Sequence, residues 1–241
     1  MTVPEDASTR APSRPSDGAT PPHGESDEQG VLARWVAQRP GRGVVVLGVA
    51  LVALQALVRA LPKFRGFFLV DDVSFMGRSF TMSGRDPMYY FEGWNGHFMP
   101  GAFLQVKAIV DRWPYDYVPI AISDLVSQAV LSLCMLKLLL DLFGRRPAIL
   151  LPLTFYLFTP MTLPAFLWWA AGLNQLWGQL AMVLILMAQL SYLRTRRVRT
   201  GWLGVAAMAG GLLFSEKVLL MLPGVFAFSL FLFTRGSLIS R

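Results

Sequence analysis

Residues 43–61 read GVVVLGVALVALQALVRAL, and their only strongly polar members are Gln55 and Arg59. A helix needs about 20 mostly apolar residues to cross a hydrocarbon core ~30 Å thick. This stretch therefore decides the class, a transmembrane helix. Arg59 lies near its far end, within snorkelling reach of headgroups, and Pro62 is expected to end it. Composition agrees: of 241 residues, 54% are hydrophobic and 15% charged, with a mean hydropathy of +0.47, whereas soluble domains sit near a quarter charged. The net charge of +7 would point to nucleic acid in a soluble protein. Here the arginines gather at the ends of apolar runs, as in membrane proteins, so the expected partner is the lipid bilayer and not nucleic acid. The single cysteine, Cys134, lies in an apolar segment and offers neither a disulfide nor a Cys-based metal site.

Upstream, residues 1–42 read as a cytoplasmic tail. Pro4, Pro12, Pro15, Pro21 and Pro22 stand among Ser, Thr, Gly and acids, too little apolar surface to offset ordering entropy, so residues 1–30 are expected to be disordered. No apolar core follows a basic start, so they are not a signal peptide. Arg34, Arg39 and Arg42 then surround Trp35 in a short basic stretch.

Downstream, residues 63–116 form a long polar loop, and residues 117–143 a second span interrupted by Pro119, Asp124 and Lys137. Gly144-Arg145-Arg146-Pro147 is a tight basic turn. Residues 148–193 are too long for one crossing and form a hairpin, bent between Pro160 and Asn174, where Pro160 and Pro164 meet Trp168 and Trp169. Residues 202–234 hold two helices if the chain turns near Glu216, or one helix with Glu216 and Lys217 buried. The fold expected is an all-α polytopic transmembrane protein of five or six spans, with residues 43–241 as one domain. With the N-terminus inside, Arg34, Arg39, Arg42, Arg145, Arg146, Arg194, Arg196, Arg197, Arg199, Arg235 and Arg241 fall on short inner segments, while the basic residues of 63–116 are diluted and matched by acids. The positive-inside rule then places the N-terminus in the cytoplasm and the first loop outside the plasma membrane.

Within that loop, residues 67–100 read FFLVDDVSFMGRSFTMSGRDPMYYFEGWNGHFMP. Burial and mutual repulsion should raise the pKa of one member of the Asp71-Asp72 pair, making a candidate base or cation site; a helix N-cap by Asp72 is the structural alternative. Arg78, Arg85 and His97 could hold a phosphate, and Tyr89, Tyr90, Phe91 and Trp94 offer flat faces for sugars or lipid tails. Asp124, near Ser123, Ser127 and Gln128, is a functional candidate as an intramembrane acid or a helix–helix hydrogen-bond partner. Lys137 and Asp141, four apart, should pair. Asn174, Gln175 and Gln179 either line the same cavity as the loop or join helices. Gly201, Gly204, Gly210 and Gly211 suit close helix packing. No Walker, HExxH or GxSxG pattern occurs, nor a GxGxxG after a strand.

An N-in first helix, an Asp-Asp pair in a long outer loop, then Gly96-His97-Phe98-Met99-Pro100, and later Phe214-Ser215-Glu216-Lys217 before Leu222-Pro223, together resemble the N-terminal part of the GT-C-fold membrane glycosyltransferases over roughly residues 43–234. The resemblance implies sugar transfer from a polyprenyl-phosphate carrier to an acceptor on the extracytoplasmic side, with inversion. It implies Asp71 or Asp72 as the base and Arg78, Arg85, His97 and Lys217, beside Glu216, as groups near the phosphate. Inverting displacement needs such a base for the acceptor and cations for the departing phosphate. Some relatives hold a divalent metal at their acids; too few carboxylates converge here to assign one, and no cofactor is named. Family members usually run longer, so this chain is expected to be the front half of such an enzyme or to need a second chain. A non-catalytic membrane scaffold is the first rival. A small-solute transporter is the second, disfavoured because the polar residues gather at the outer surface and not at the midplane of two related halves. Residue usage, rich in Arg, Ala, Gly and Pro, is that of a high-GC bacterium.

Overall fold

The structure is a computed structural model that describes residues 40–234. The expected disordered tail lies outside the described residues, as do Arg34, Arg39, Arg235 and Arg241. The described chain is helical, with no strand beyond an isolated bridge. Helix α1 runs Pro40–Phe64, α2 Val70–Thr81, α3 Pro87–Phe91, α4 Pro100–Val110 and α5 Val118–Phe143. Then come α6 Leu150–Phe158, α7 Leu163–Leu167, α8 Trp169–Thr195, α9 Val198–Leu212 and α10 Met221–Thr234. Among the described residues, α1, α5 and α8 are long and apolar enough to cross a bilayer. The pair Pro147–Phe158 and Pro160–Leu167, bent by 42°, makes a fourth if taken as one span. The chain is an integral membrane protein. Helix α9, of 15 residues, is shorter than a crossing needs.

Side-chain contacts set the helix directions. Lys63 of α1 meets Asp124 of α5, and Gly48 lies against Leu136, so α1 and α5 are antiparallel. Gly172 of α8 lies beside Asp124, and Arg194 bonds the Asp141 carbonyl, so α5 and α8 run parallel, with α6 and α7 returning between them. A Cβ on Gly211 would strike Ala181, and Ala188 faces Gly204, which brings α9 back along α8 at close range. Gly210 has open space around it. The chain turns at Phe214-Ser215, so residues 202–234 make two helices and not one.

Two expectations are corrected. Pro62 does not end the first helix, which continues to Phe64; near a C-terminus the missing N–H removes only one bond of the last turn. Residues 63–116 are not an open loop. They fold into the amphipathic α2 and the short apolar α3 and α4, which close over the N-terminus of α8. Phe75, Tyr89, Phe103 and Trp169 are fully buried there. The rings meet edge to face: Phe75–Trp94 at 5.3 Å, Phe75–Phe103 at 5.2 Å and Tyr89–Phe103 at 5.9 Å. Each such pair contributes about 0.5–1.5 kcal/mol beyond area burial. Asp86 caps α3 by accepting from Met88 N at 2.9 Å, with Pro87 at the first helical position.

A stripe of polar residues joins α1 to α5. Gln55, Arg59 and Lys63 stand four apart on α1, facing Ser132, Gln128 and Asp124, also four apart, on α5. Ser132 Oγ donates to Gln55 Oε1 at 2.7 Å, Arg59 Nη1 to Gln128 Oε1 at 2.8 Å, and Lys63 Nζ lies 2.5 Å from Asp124 Oδ2. The same three residues reach the broken pair α6–α7. Gln55 and Arg59 donate to Leu157 O at 2.9 and 3.2 Å, and Lys63 to Phe166 O at 2.9 Å. Thr159, before Pro160, is extended and ends α6 at Phe158, and α7 stops at Leu167, so the Leu157 and Phe166 carbonyls lose their helical donors. A freed carbonyl at membrane depth must be satisfied by protein, and the stripe does so. Arg59, only 3% exposed, is therefore an internal strut and does not snorkel.

Candidate functional site

The Asp71-Asp72 pair opens α2, and the two carboxylates differ sharply. Asp72 is fully buried. Its Oδ2 accepts from Leu69 N at 2.9 Å, the acid half of a capping box on α2, and its Oδ1 accepts from Ala170 N at 2.7 Å, in the first turn of α8. One carboxylate thus caps two helices. Burial pushes its pKa up, while the two amides and Lys63 pull it back. The Asp71 side chain is partly exposed and makes no hydrogen bond or ion pair among the described residues. Asp124 is buried against Lys63, which also lies 5.4 Å from the centres of the Tyr117 and Phe166 rings. Asp72, Lys63 and Asp124 thus form one buried ionisable group where α1, α2, α5 and α8 converge.

The cationic candidates separate. Arg78 is nearly buried, with Nη2 donating to Met88 O at 2.9 Å and Glu92 O at 3.1 Å, and its guanidinium 4.1 Å from the centre of the Phe103 ring. It ties α3 to α2 and points into the cap. Arg85 is exposed on the turn between α2 and α3. His97 follows a two-residue turn in which Trp94 and His97 exchange backbone hydrogen bonds of 2.9 and 2.8 Å. Asn95 and Gly96 take φ of 48° and 81°, the left-handed region that Asn-Gly tolerates best. The turn aims His97 Nδ1 at Glu216 Oε1, 2.7 Å away. Two separate sequence motifs, Gly96-His97-Phe98-Met99-Pro100 and Phe214-Ser215-Glu216-Lys217, meet here. Gly101 N also donates to Leu213 O at 2.7 Å. Burial acts to raise the Glu216 pKa, but hydrogen bonds to backbone and to His97, with the charge of Lys217, hold it below the usual carboxylate value.

Beside this junction lies a cleft of about 240 Å³ lined by Asn174, Gln175, Gln179, Ser215 and Lys217. The three amides stand on α8, and Lys217 is exposed at the cleft edge. Asn174 Oδ1 is buried without a hydrogen-bond partner among the described residues. Next to it Trp177 and Phe214 stack at 5.1 Å. They line a separate apolar groove of about 230 Å³ between α8 and α9 that runs past Leu184 and Ala207. The polar cleft offers hydrogen bonds and one positive charge, and the groove, on another face of α8, offers a hydrocarbon surface.

The structure therefore joins His97 to Glu216, sets Lys217 on the neighbouring cleft, and pairs Asp124 with Lys63, whose charge also acts on the nearby Asp72. Arg78 and Arg85 stand apart from both groups. No group of three or more His, Cys, Asp or Glu side chains comes together among the described residues. Sequence reasoning missed Lys63, Gln55 and Ser132; the signal available was the matching four-residue spacing on two apolar helices. No family, no curated protein and no solved structure matches this chain.

Proposed function

We propose that this membrane protein transfers a sugar from a polyprenyl-phosphate carrier, using the cleft at Lys217, as a glycosyltransferase or the front half of one. The observation that carries the reading is the polar cleft of Asn174, Gln175, Gln179, Ser215 and Lys217. It suits a hydroxylated, phosphorylated head whose hydrocarbon tail stays in the bilayer. Lys217 would neutralise charge as the phosphate departs, and the amides would orient sugar hydroxyls. Asp71 is the candidate base, because both Asp72 oxygens already cap helices. The positive-inside rule puts this face outside the cytoplasm.

The test is thermal stabilisation of the purified protein by a polyprenyl-phosphate sugar, followed by transfer assays. Stabilisation that disappears in Lys217→Ala supports the phosphate role, and transfer lost in Asp71→Asn with binding kept supports the base. No stabilisation of the wild type by any such carrier overturns the reading. A scaffold role has one observation in its favour: Asp72, Arg78 and Asp124 are all engaged in holding helices together. It expects Asp71→Asn and Lys217→Ala to leave the protein's cellular role intact.

A further inference from the structure

At the end of the bundle opposite Asp72, a cleft of about 660 Å³ opens between α5, α8 and α9. Its volume lies within the range of about 300–1,000 Å³ typical of ligand sites. The deep part is apolar, with Leu184, Met187, Leu203 and Ala207 among its walls. Every charged residue lining it is at one end: Lys137, Asp141 and Arg194. From Arg194 to Leu184 along α8 is ten residues, about 15 Å at the helical rise. That is half of a ~30 Å hydrocarbon core, one leaflet deep.

The charges at the mouth do not cancel. Lys137 Nζ is 2.7 Å from Asp141 Oδ2, and Arg194 donates to the Asp141 backbone carbonyl, so one carboxylate faces two cations. Arg196, Arg197 and Arg199 follow, all exposed. Basic pockets between transmembrane helices suit anionic lipid headgroups, each nearby basic residue strengthening the attraction.

We propose that this cleft binds an anionic phospholipid of the surrounding bilayer, with an acyl chain along Leu184 and Leu203 and the phosphate at Lys137 and Arg194. The site is separate from the cleft at Lys217, and its assignment does not depend on sugar transfer. The test uses the purified full chain in detergent, with lipid retention followed by native mass spectrometry for dioleoylphosphatidylglycerol and dioleoylphosphatidylcholine. The wild type is expected to retain the anionic lipid preferentially. Lys137→Gln with Arg194→Gln should melt at the wild-type temperature in lipid-free detergent and lose that preference, by about fivefold per cation. Leu203→Trp, which fills the cleft and leaves the cations in place, should lower retention of both lipids. Equal retention of the two lipids by the wild type, a preference unchanged in the double variant, or displacement of the anionic lipid by inorganic phosphate alone would overturn the proposal. So would disulfide-linked dimers formed through Leu203→Cys, which would mean a second copy covers the cleft.

Discussion

Replacing Asp124 by Ala tests whether the buried polar stripe holds the fold together. Lys63 and Asp124 have side chains 0% and 3% exposed and lie 2.5 Å apart. Removing the acid leaves an ammonium buried against the Phe166 and Leu167 carbonyls and two ring faces, with Asp72 as a carboxylate beyond contact distance. Breaking one half of a buried ion pair costs about 3–5 kcal/mol. A single interhelical hydrogen bond in a membrane averages about 0.6 kcal/mol. The unpaired charge, not the lost bond, therefore sets the size of the effect. Lys63→Met combined with Asp124→Leu removes both charges and leaves chiefly the Phe166 carbonyl without its donor, at about 1–3 kcal/mol. The double variant is thus expected to be more stable than Asp124→Ala, although it changes more atoms. Reversible unfolding of purified protein in mixed micelles measures both. A double variant no more stable than the single one would refute the charge argument. An Asp124→Ala protein of wild-type stability would refute the structural role altogether and return Asp124 to the functional candidates.

Asp72→Asn keeps one acceptor oxygen for two amides, Leu69 N and Ala170 N, and should cost about 1–3 kcal/mol in melting experiments, whereas Asp71→Asn should fall within about 0.5 kcal/mol of wild type. The raised pKa of Asp72 means that its stabilising contribution is complete below the ordinary value of 3.8 and is lost as pH rises through the folded value; this pH dependence should vanish in Asp72→Asn. Glu216 has the opposite sign: its lowered pKa gives a contribution present above 4.5 and lost as pH falls through the folded value. The protection factors of residues 94–101, with the intrinsic pH dependence of amide exchange divided out, should therefore fall on acidification in the wild type and change little with pH in Glu216→Gln. In Gly101→Ala the new Cβ would lie 2.8 Å from the Phe214 ring and 3.0 Å from Leu213 O, so loosened packing of about 1–3 kcal/mol is expected from thermal melts.

The parts of this fold that follow from local periodicity were legible, and the parts that follow from chain breaks were not. The apolar run of residues 43–61 marks α1, and the spacing of Lys137 and Asp141 marks a pair that the structure forms at 2.7 Å. The helices of residues 70–110 escaped notice because each is short and set among polar turns, and they bury their aromatic residues against one another and against α8, far away in sequence. Asp72 illustrates the difficulty at a single residue. Its adjacency to Asp71 suggests a reactive pair, yet one of its two hydrogen bonds goes to Ala170, 98 positions along the chain. The stripe of Gln55, Arg59 and Lys63 carries the same lesson with a usable rule. A polar residue in a span reads by default as functional, but a broken helix elsewhere in the membrane creates carbonyls that need donors. Pro160 and Pro164 announce that break in the sequence. Donors spaced four apart on a neighbouring span are then its natural answer, and the intramembrane cations here are explained by the break before any chemistry is asked of them.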